Sequence, residues 1–319
     1  MRAVVTGATG FIGRRLLDFI DEPIVLTRDA AKARRELGSR VKAYDWDLMT
    51  QAAPAEALSG VDAVFHLAGE PVAEGRWDAA KKQRLRESRT VGTANLVRGL
   101  SAAQPRPPVL VSASAIGYYG SRGDDVLDET AAPGSDFLAK ICGEWECEAA
   151  AAEKLGIRVA SARIGIVLGR GGALKKMLLP FKLGVGGRLA SGSQWMSWVH
   201  VDDVVGMMLH AATNAEVRGA FNAVGPAPVT NAEFTRTLGR VLHRPTIFPV
   251  PGFALRLAFG EFGNILLASQ RCAPRRMQEA GYTYRFPTLE GALTDAVHGG
   301  SNGSSAAMPA SAQRAGSGR

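Results

Sequence analysis

Hydrophobic residues follow two alternating patterns along the first half of the chain. Short runs rich in valine, isoleucine and leucine are typical of strands, and they occur at 2–6, 23–27, 41–44, 62–68, 107–114 and 158–169. Helical stretches lie between them: Ile12, Leu16 and Ile20 recur at i, i+4 and i+8, and longer stretches surround 78–103 and 136–155. Near-continuous apolar strands that alternate with helices indicate an α/β protein whose parallel sheet is covered on both faces.

The pattern changes after the last of these strands. Residues 171–192 are rich in glycine and basic side chains, and the apolar stretch 197–212 follows. Within that stretch Asp202 and Asp203 are expected to cap a helix that begins at about Val204. Two further elements are predicted beyond it: a strand at 220–225 and a helix at 231–242.

A glycine-rich motif, TGATGFIG (6–13), joins the first predicted strand to the first helix. Gly7 allows the tight turn, Gly10 lets the backbone approach a pyrophosphate, and Gly13 lets the helix pack closely on the strand. The free amides and the positive end of the helix dipole then face the anion. Because a second strand follows the helix, the motif predicts a dinucleotide-binding site rather than a plain β–α turn.

The end of the second predicted strand distinguishes NADP from NAD. An acidic residue at this point usually accepts a hydrogen bond from the free ribose 2′-hydroxyl of NAD, but this chain has Thr27 and Arg28. A guanidinium suits a 2′-phosphate, Thr27 adds a hydroxyl, and Arg14 is placed to help from the start of the helix. We therefore predict NADP rather than NAD. The alternative is that Arg28 points into solvent and Asp29 binds the ribose.

Composition and charge narrow the class of partner. With 46% hydrophobic and 21% charged residues, the chain has the composition of a globular protein. Its formal charge of +8 suits anionic small molecules as well as nucleic acid. The densest basic segment, 81–89, has no interleaved aromatic residues that would stack on bases, so no nucleic-acid partner is predicted.

No membrane or secretory role is predicted. No apolar run is long enough to span a bilayer, no lipidation motif occurs, and the first strand begins at Arg2, so no leader peptide is expected. Cys142, Cys147 and Cys272 form neither a disulfide framework nor a metal-ligand pattern. We therefore expect a cytoplasmic protein without a metal site.

Several motifs, in order along the chain, match a known family. The chain resembles the extended short-chain dehydrogenase/reductases, which include nucleotide-sugar epimerases, in TGATGFIG (6–13), FHLAGEP (65–71), VSASAIGYYG (111–120) and WVHVDDV (198–204). It resembles more narrowly an atypical epimerase family with its own C-terminal domain of unassigned function, the DUF1731 type, in AGEPVAEGRW (68–77), ESR (87–89), 179–203 and 270–293. The resemblance covers residues 1 to about 298.

Two domains and a tail are predicted on this basis. A doubly wound, Rossmann-type parallel sheet occupies residues 1–170, with a return segment near 197–225. A smaller C-terminal α/β domain for the substrate covers 171–298. Residues 299–319 are low in complexity and lack large hydrophobic side chains except Met308, which predicts a disordered tail.

The resemblance also implies which residues surround the cofactor. It places the glycine turn on the pyrophosphate, the end of the second strand on the ribose phosphate, and the end of the fourth strand against the adenine-side ribose. Arg89 stands where ordinary extended enzymes carry an asparagine, and the segment Gly165–Val167 would face the nicotinamide. The implied set is Thr6, Gly7, Thr9, Gly10, Phe11, Ile12, Gly13, Thr27, Arg28, Leu67, Ala68, Gly69, Arg89 and Val167.

The catalytic set of the extended reductases is incomplete in this chain. Those enzymes use a serine at the end of the fifth strand and a Tyr-x-x-x-Lys pair on the next helix, so that a proton can move while a hydride moves. Ser114 fits the serine position. No Tyr-x-x-x-Lys occurs anywhere, and the aligned positions hold Phe137 and Ile141.

Other residues are candidates to replace the missing pair. Tyr118 and Tyr119 follow Ser114 in a turn at the carboxyl end of the sheet, where such folds place ligands, and Lys140 lies one residue before the usual lysine. We predict that Ser114 and one of the two tyrosines, with Tyr118 preferred, hold a substrate oxygen. The alternative is that the serine merely ends a strand and the tyrosines pack under the substrate loop. Two weaker candidates are Glu70 and His200, and His200 is expected in a structural hydrogen-bond network.

The segment 183–195 corresponds to the part of extended enzymes that wraps the substrate. Lys182 and Arg188 are placed to meet an anionic group, and Trp195 and Trp198 are placed to stack on a base or ring. Packing between the domains is an equal alternative.

Two functions from different classes remain open. The first is an NADP-dependent oxidoreductase or epimerase acting on a small, anionic alcohol or carbonyl compound or on a nucleotide-sugar. The second is a catalytically silent regulatory or scaffold protein that binds NADP on the same fold. Either protein would be a monomer or a homodimer, and dimers through the helices that flank the sheet are common in the family it resembles.

Overall fold

The structure is a computed structural model that describes residues 1–299, apart from the side chains of Ala173 and Lys176. Gly299 follows the last helix as its cap. The rest of the predicted tail, residues 300–319, lies outside the described residues.

Seven parallel strands form the main sheet, in the order β11-β7-β5-β4-β1-β2-β3. Their bounds are β1 Arg2–Thr6, β2 Glu22–Thr27, β3 Lys42–Asp45, β4 Ala63–His66, β5 Val109–Ala115, β7 Arg158–Ile164 and β11 Gly219–Ala223. The order reverses direction at β1, and the carboxyl ends of β1 and β4 meet there, with Thr6 opposite His66. This is the doubly wound, Rossmann-type α/β sheet that the sequence predicts.

Six short strands pair outside the main sheet. β8 (Ile166–Leu168) runs parallel to β10 (Trp198–His200), β9 (Trp195–Met196) is antiparallel to β12 (Val229–Thr230), and β6 (Val126–Leu127) is parallel to β13 (Arg271–Cys272). These pairs connect the region after residue 164 to itself and to the loop that follows β5.

Twelve α-helices lie in the described residues. They are α1 Phe11–Leu17, α2 Ala30–Leu37, α3 Ala55–Leu58, α4 Ala79–Ala102, α5 Phe137–Ala150, α6 Gly172–Lys182, α7 Val201–Thr213, α8 Asn231–Leu242, α9 Gly252–Phe259, α10 Phe262–Leu266, α11 Arg275–Glu279 and α12 Leu289–His298. Two 3₁₀ turns add Ile116–Tyr119 and Ala151–Leu155.

The helices cover both faces of the sheet because alternate strand residues point to opposite sides. Val5 of β1 belongs to a buried cluster with Leu16 of α1 and Val204 of α7. Its neighbour Val4 belongs to a second cluster with Leu96 of α4 and Ala149 of α5. Both faces of β1 are therefore buried, which explains its unbroken apolar sequence.

The region after residue 165 has a hydrophobic cluster of its own. It joins α6, α8 and α12 through Leu174, Phe234 and Leu293. Such a separate core fits the division proposed near residue 171, which stays a prediction.

The predicted strand at 158–169 is in fact two strands, β7 and β8. Gly165 separates them: a Cβ there would collide with the carbonyl oxygen of Ser197. The Gly165 amide donates to Ala223 at 3.1 Å, and the Ile166 amide donates to Ser197 at 2.8 Å. The chain thus leaves the main sheet at Gly165, and Val167 lies in the small sheet with β10.

The predicted start of α7 at Val204 is also wrong. The helix begins at Val201, and His200 caps it through an Nδ1 that accepts a hydrogen bond from the Asp202 amide at 3.2 Å. The two aspartates that were expected to cap the helix bind side chains and amides outside it. Asp202 pairs with Arg15 of α1, and Asp203 accepts the amides near Arg285.

Candidate cofactor and substrate site

The glycine turn between β1 and α1 is pressed against the end of β4. Gly7 has a φ of 69°, and a Cβ there would lie 2.8 Å from the carbonyl carbon of Leu67. A Cβ on Gly13 would collide with the carbonyl oxygen of Gly7. Gly10 instead faces outward: it is exposed, and its added Cβ would meet only Gly7 oxygen, at 3.1 Å. Gly7 and Gly13 therefore make the turn tight, and Gly10 leaves its outer side open to a ligand.

Three more residues of the predicted pyrophosphate set lie on this turn or just after it. Thr9 is exposed beside Gly10, and Phe11 and Ile12 are half-buried in the first turn of α1. The Phe11 ring fills the space beside Gly169, Gly171 and Gly172, because an added Cβ on each of them would contact it. Phe11 thus connects the glycine turn to the segment between β8 and α6.

Thr6 supports the turn from behind. Its hydroxyl oxygen accepts the amides of Leu67 and Ala68, each at 3.1 Å, so its own proton is left for His66 Nδ1 at 2.8 Å. His66 Nε2 then donates to the Thr93 hydroxyl at 3.0 Å. Complete burial and the nearby Arg89 lower the pKa of His66 to about 4. A neutral, buried histidine therefore joins β1, β4 and α4, and no sequence motif indicated it.

The end of β2 leaves one cation exposed. Arg28 is exposed, and it makes no side-chain hydrogen bond or ion pair within residues 1–299. Asp29, the alternative ribose ligand, caps α2 by accepting the Lys32 amide at 2.7 Å. Arg14 is paired with Glu36 at 2.6 Å. Thr27 lies half-buried at the strand end beside Arg28. Of the two arginines, Arg28 is the one free to meet a phosphate.

Arg89 lies beneath the loop that follows β4. Its guanidinium donates to the carbonyl oxygens of Glu70 and Leu85, at 3.2 and 2.9 Å, and lies 5.0 Å from the ring centroid of Trp145. A Cβ on Gly69 would be 3.5 Å from Arg89 Cζ. Burial lowers the pKa of Arg89, although nearby negative groups oppose this. Arg89 thus holds the backbone at Gly69 and Glu70 in place from within the protein.

Ser114 is engaged by two residues that no motif indicated, Glu146 and Arg163. The serine is 3% exposed, and its hydroxyl donates to Glu146 Oε1 at 2.6 Å. Arg163 binds both carboxylate oxygens of Glu146, at 2.9 and 2.8 Å. Because a serine has a single proton, its oxygen is left with lone pairs only.

The two tyrosines after Ser114 have different surroundings. Tyr119 is fully buried, donates to Asn222 Oδ1 at 2.7 Å and accepts from Arg163 Nη1 at 3.0 Å. Burial raises the pKa of Tyr119 well above its usual value. Tyr118 is half-buried, and its ring lies 3.4 Å from Arg163 Cζ. No hydrogen bond of the Tyr118 hydroxyl occurs within the described part of the chain. Tyr119 is therefore structural, and Tyr118 keeps a free hydroxyl.

A pocket of about 400 Å³ brings Tyr118 together with Lys140 and Glu146. It lies on the face of α5 formed by Ala139, Gly143 and Glu146, whereas Phe137 and Ile141 recur on another face of the same helix. A larger pocket of about 670 Å³ is lined by Pro108 and Arg158, at the amino ends of β5 and β7, away from the glycine turn.

The structure corrects the predicted role of the tryptophans. Trp198 is 1% exposed and donates its indole N–H to the Ala227 carbonyl at 2.9 Å, so it cannot stack on a ligand. Trp195 donates to Asp124 at 2.7 Å, and Arg271 lies 4.3 Å from its ring centroid. Both rings are committed within the protein.

Three of the remaining candidates have partners, whereas the side chain of the exposed Lys182 has none within residues 1–299. Arg188 donates to the Ser191 carbonyl at 2.8 Å. Glu70 binds Lys81 at 2.7 Å, and that hydrogen bond lowers the pKa of Glu70. His200 bonds Asp295 at 3.2 Å, and burial lowers the pKa of the imidazole. The expected structural role of His200 is thus confirmed.

No group of three or more His, Cys, Asp or Glu side chains in residues 1–299 could hold a metal ion. No helix in that range has the length and apolar character needed to cross a bilayer. The three cysteines are free thiols.

A parallel sheet with reversed strand order and a tight, open-sided glycine turn define a Rossmann-type dinucleotide-binding fold. The chain belongs to the NAD dependent epimerase/dehydratase family, whose model matches residues 3–224, and residues 250–296 match a domain of unknown function, DUF1731. The family inferred from the motifs is therefore confirmed.

Within this family the chain is similar to proteins named SDR39U1. It is 41% identical over 303 residues to the chloroplastic SDR39U1 homolog of Arabidopsis thaliana, covering 92% of this chain and 86% of the relative. A crystal structure of human epimerase family protein SDR39U1 (isoform 2) with NADPH has a TM-score of 0.82 at 33% identity, covering 93% and 99% of the two chains.

More distant structures share the fold alone. UDP-glucuronic acid 4-epimerase from Bacillus cereus, solved with UDP-glucuronic acid and NAD, has a TM-score of 0.74 at 15% identity over 93% of this chain and 98% of that one.

Proposed function

We propose that this chain binds NADP(H) at the glycine turn and the end of β2, and that it is an oxidoreductase or epimerase acting on a small alcohol or carbonyl compound. The choice of NADP(H) over NAD(H) rests on one observation, which is how the side chains of Arg28 and Asp29 are paired. The arginine is exposed and unpaired, whereas the carboxylate already caps α2. The human relative crystallised with NADPH supports the same choice.

Several features of the chain fit such a cofactor. The turn around Gly7 and Gly13 leaves no room for side chains, as a backbone cradle for a pyrophosphate requires. The indole N–H of Trp145, beside Arg89, is a buried side-chain donor without a partner in residues 1–299. Bound NADPH would supply a hydride at the nicotinamide side of the site, which we assign to Gly165–Val167.

Ser114 and Tyr118 are the proposed substrate-binding groups. Because Ser114 donates its proton to Glu146, its oxygen is suited to accept a hydrogen bond from a substrate hydroxyl. The free hydroxyl of Tyr118 can donate to a substrate oxygen or accept from one. An alcohol substrate would therefore donate to Ser114, and a carbonyl substrate would accept from Tyr118.

A direct titration tests the cofactor assignment. We expect NADPH to bind more tightly than NADH in isothermal titration of the full chain, because the 2′-phosphate gains the charge of Arg28. Arg28→Ala should weaken NADPH binding by about tenfold, which is the effect of one lost charge-assisted contact, and should leave NADH binding unchanged.

Arg35→Ala is the matched control, since Arg35 is an exposed arginine on the next helix. Its NADPH affinity should equal that of the parent chain. Tighter binding of NADH than NADPH, or an equal loss in both arginine variants, would contradict the assignment.

A second candidate function rests on Phe137 and Ile141, which the family resemblance aligns with the usual proton-transfer pair. Neither side chain can move a proton, so the chain would then be a regulatory or scaffold protein that holds NADP without turnover. Spectrophotometry at the NADPH absorbance band with a panel of aldehydes and ketones separates the two. Turnover that is lost in Ser114→Ala, with NADPH affinity retained, supports the enzyme; saturating cofactor without turnover supports the scaffold. The cytoplasmic location and the monomer or homodimer assignment remain proposals from the sequence.

A further inference from the structure

Four aromatic side chains run from the start of α5 to the C-terminal region. The ring centroids of Phe137 and Trp77 are 5.6 Å apart, those of Trp77 and Phe262 are 6.0 Å apart, and those of Phe262 and Phe259 are 6.4 Å apart. We call Phe137, Trp77, Phe262 and Phe259 the aromatic row. It begins at the position where the extended reductases carry their catalytic tyrosine.

The loop that carries Trp77 starts at the cofactor side of the molecule. This loop leaves β4 through Gly69, under which Arg89 lies, and ends at α4. Trp77 is fixed within it, because the indole N–H donates to the Val72 carbonyl at 3.0 Å. The aromatic row therefore connects the start of α5 and the loop after β4 to the C-terminal region.

An ion pair beside the aromatic row joins α4 to the segment between α9 and α10. Lys82 of α4 lies 2.5 Å from Glu261 Oε2, between α9 and α10, and its Nζ is 5.1 Å from the Phe137 ring centroid. Two segments more than 170 residues apart in the sequence are thus joined beside the rings. The rings are held in place without being sealed in a core.

The exposure of the rings distinguishes the row from core packing. Trp77, Phe137 and Phe262 are half-buried, and Phe259 is 47% exposed. The fully buried large side chains, such as Phe65, Phe221 and Phe234, lie elsewhere. A set of partly exposed rings in mutual contact presents a continuous apolar wall that a further ring or alkyl chain can contact.

Several of the groups predicted to meet a nucleotide-sugar have partners within the protein, whereas Lys182 is exposed and makes no side-chain hydrogen bond or ion pair within residues 1–299. Trp198 is buried, Trp195 is covered by Arg271, and Arg188 binds a backbone carbonyl. Beside the row, Lys82 is already paired with Glu261. The exposed Arg76 lies at the rim, where its guanidinium would be 4.0 Å from a Cβ on Gly260. A diphosphate requires several converging donors, whereas an uncharged apolar group requires none.

We propose that the aromatic row is the substrate-binding wall of this site, and that the substrate is an apolar alcohol or carbonyl compound with an aryl or long alkyl group. This assignment names the substrate class of the function proposed above and relies on it for the reaction. The apolar group lies against Trp77 and Phe262, and the oxygen-bearing carbon is directed to the cofactor side. The assignment predicts that a nucleotide-sugar binds this site more weakly than such a compound.

Equilibrium binding tests the assignment without requiring turnover. The full chain, saturated with NADP⁺, which cannot reduce a ketone, is titrated calorimetrically with 2-acetylnaphthalene, an uncharged aryl ketone, and separately with UDP-glucose. We expect the ketone to bind and UDP-glucose to bind at least about tenfold more weakly. Tighter binding of UDP-glucose, or no binding of the ketone, overturns the proposal.

Variants locate the binding on the row. Phe262→Ala should weaken ketone binding by about tenfold, as loss of one ring contact in an apolar site would. Phe262→Leu keeps an apolar side chain and should restore part of that loss, which separates binding from a folding defect. Phe253→Ala is the matched control: this ring is also exposed, on α9 beside the row, and makes no ring contact with its members in the described residues. Equal effects of Phe262→Ala and Phe253→Ala would overturn the assignment.

The same experiments separate the two proposals. If the chain fails to bind NADPH but binds the ketone in a way that depends on Phe262, the cofactor assignment is refuted and the substrate-wall assignment stands. If NADPH binding depends on Arg28 but Phe262→Ala leaves ketone binding unchanged, the substrate-wall assignment is refuted and the cofactor assignment stands.

Discussion

At the scale of single residues, Ser114 is the position where structure adds most to the sequence. Its hydroxyl donates a hydrogen bond to Glu146, and Glu146 in turn binds Arg163 through both carboxylate oxygens. Glu146 follows Phe137 by nine residues, outside any recognised motif. The sequence could predict that a serine ends β5, because strand pattern and family motif agree there. It could not predict the partner, since a carboxylate on the far side of a helix is positioned only by the packing of that helix.

This arrangement predicts unequal effects of two substitutions on stability. Ser114→Ala removes one hydrogen bond to a carboxylate and should lower the free energy of unfolding by about 1–3 kcal/mol. Glu146→Ala leaves the buried Arg163 without a counterion and should cost about 3–5 kcal/mol. Urea denaturation followed by circular dichroism measures both.

Glu144→Ala on the same helix is the control, because Glu144 pairs with Arg86 on the surface. The denaturation midpoint of that variant should stay close to that of the parent chain. A loss in Ser114→Ala as large as that in Glu146→Ala would refute the asymmetry.

At the scale of elements, most strands and helices could be predicted from periodicity. The helix predicted at 231–242 matches α8 residue for residue, and RAVVT is β1. The error at 158–169 arises because both halves of RVASARIGIVLG are apolar, so periodicity shows no boundary. The boundary is set by Ser197, whose carbonyl approaches Gly165 from more than 30 residues away. Long-range contacts of this kind have no local signature.

Two glycines on helices should respond oppositely to the same substitution. Gly13→Ala places a Cβ against Gly7 oxygen and Ala8 backbone in the glycine turn, so the turn must open. We expect this variant to lose at least about tenfold in NADPH affinity, with lower stability. Gly143→Ala in α5 meets no atom within 4 Å and should raise the free energy of unfolding by about 0.5–1 kcal/mol through helix propensity.

Calorimetric titration measures the cofactor affinity of the two variants, and thermal unfolding measures their stability. Intact cofactor affinity in Gly13→Ala would show that the turn is not the binding site.

At the scale of the whole molecule, two neighbouring aspartates hold the C-terminal region to the sheet. Asp202 pairs with Arg15 of α1 at 2.7 Å and with Arg285 at 2.8 Å. Asp203 accepts the amides of Arg285 and Phe286 and a hydrogen bond from Tyr282. The family resemblance could place both regions in one chain, but only the fold shows that α7 lies between them.

The ion pairs of Asp202 predict a pH-dependent loss of stability. Burial alone would raise the pKa of Asp202, but the hydrogen bond and charge of Arg15 outweigh it, so the pKa is lowered. A carboxyl with a lowered folded-state pKa stabilises the fold above its unfolded pKa of about 3.9. That contribution is lost as the pH falls through the folded-state pKa. Asp202→Asn should therefore destabilise the protein by about 1–3 kcal/mol at pH 7, and the difference should shrink towards zero in acid.

Urea midpoints of both proteins between neutral pH and about pH 3 measure this effect. Glu216→Gln is the control, because Glu216 is an exposed carboxylate without an ion pair in the described residues. If the urea midpoints of Asp202→Asn and the parent chain differ by the same amount at every pH, the ion-pair explanation is contradicted.

The contact between α7 and Tyr282 has a consequence for how the protein is made. Gly206 has no side chain, so the Tyr282 hydroxyl reaches across α7 to Asp203 at 3.0 Å. During synthesis on the ribosome, α7 emerges about 80 residues before Tyr282 and Phe286, which a chain growing at about 5–20 residues per second takes several seconds to add. Until then one flank of the sheet lacks its cover and the carboxylate of Asp203 lacks its donors. We therefore expect nascent chains that stop near residue 225 to stay bound to chaperones, although they already contain every strand of the main sheet.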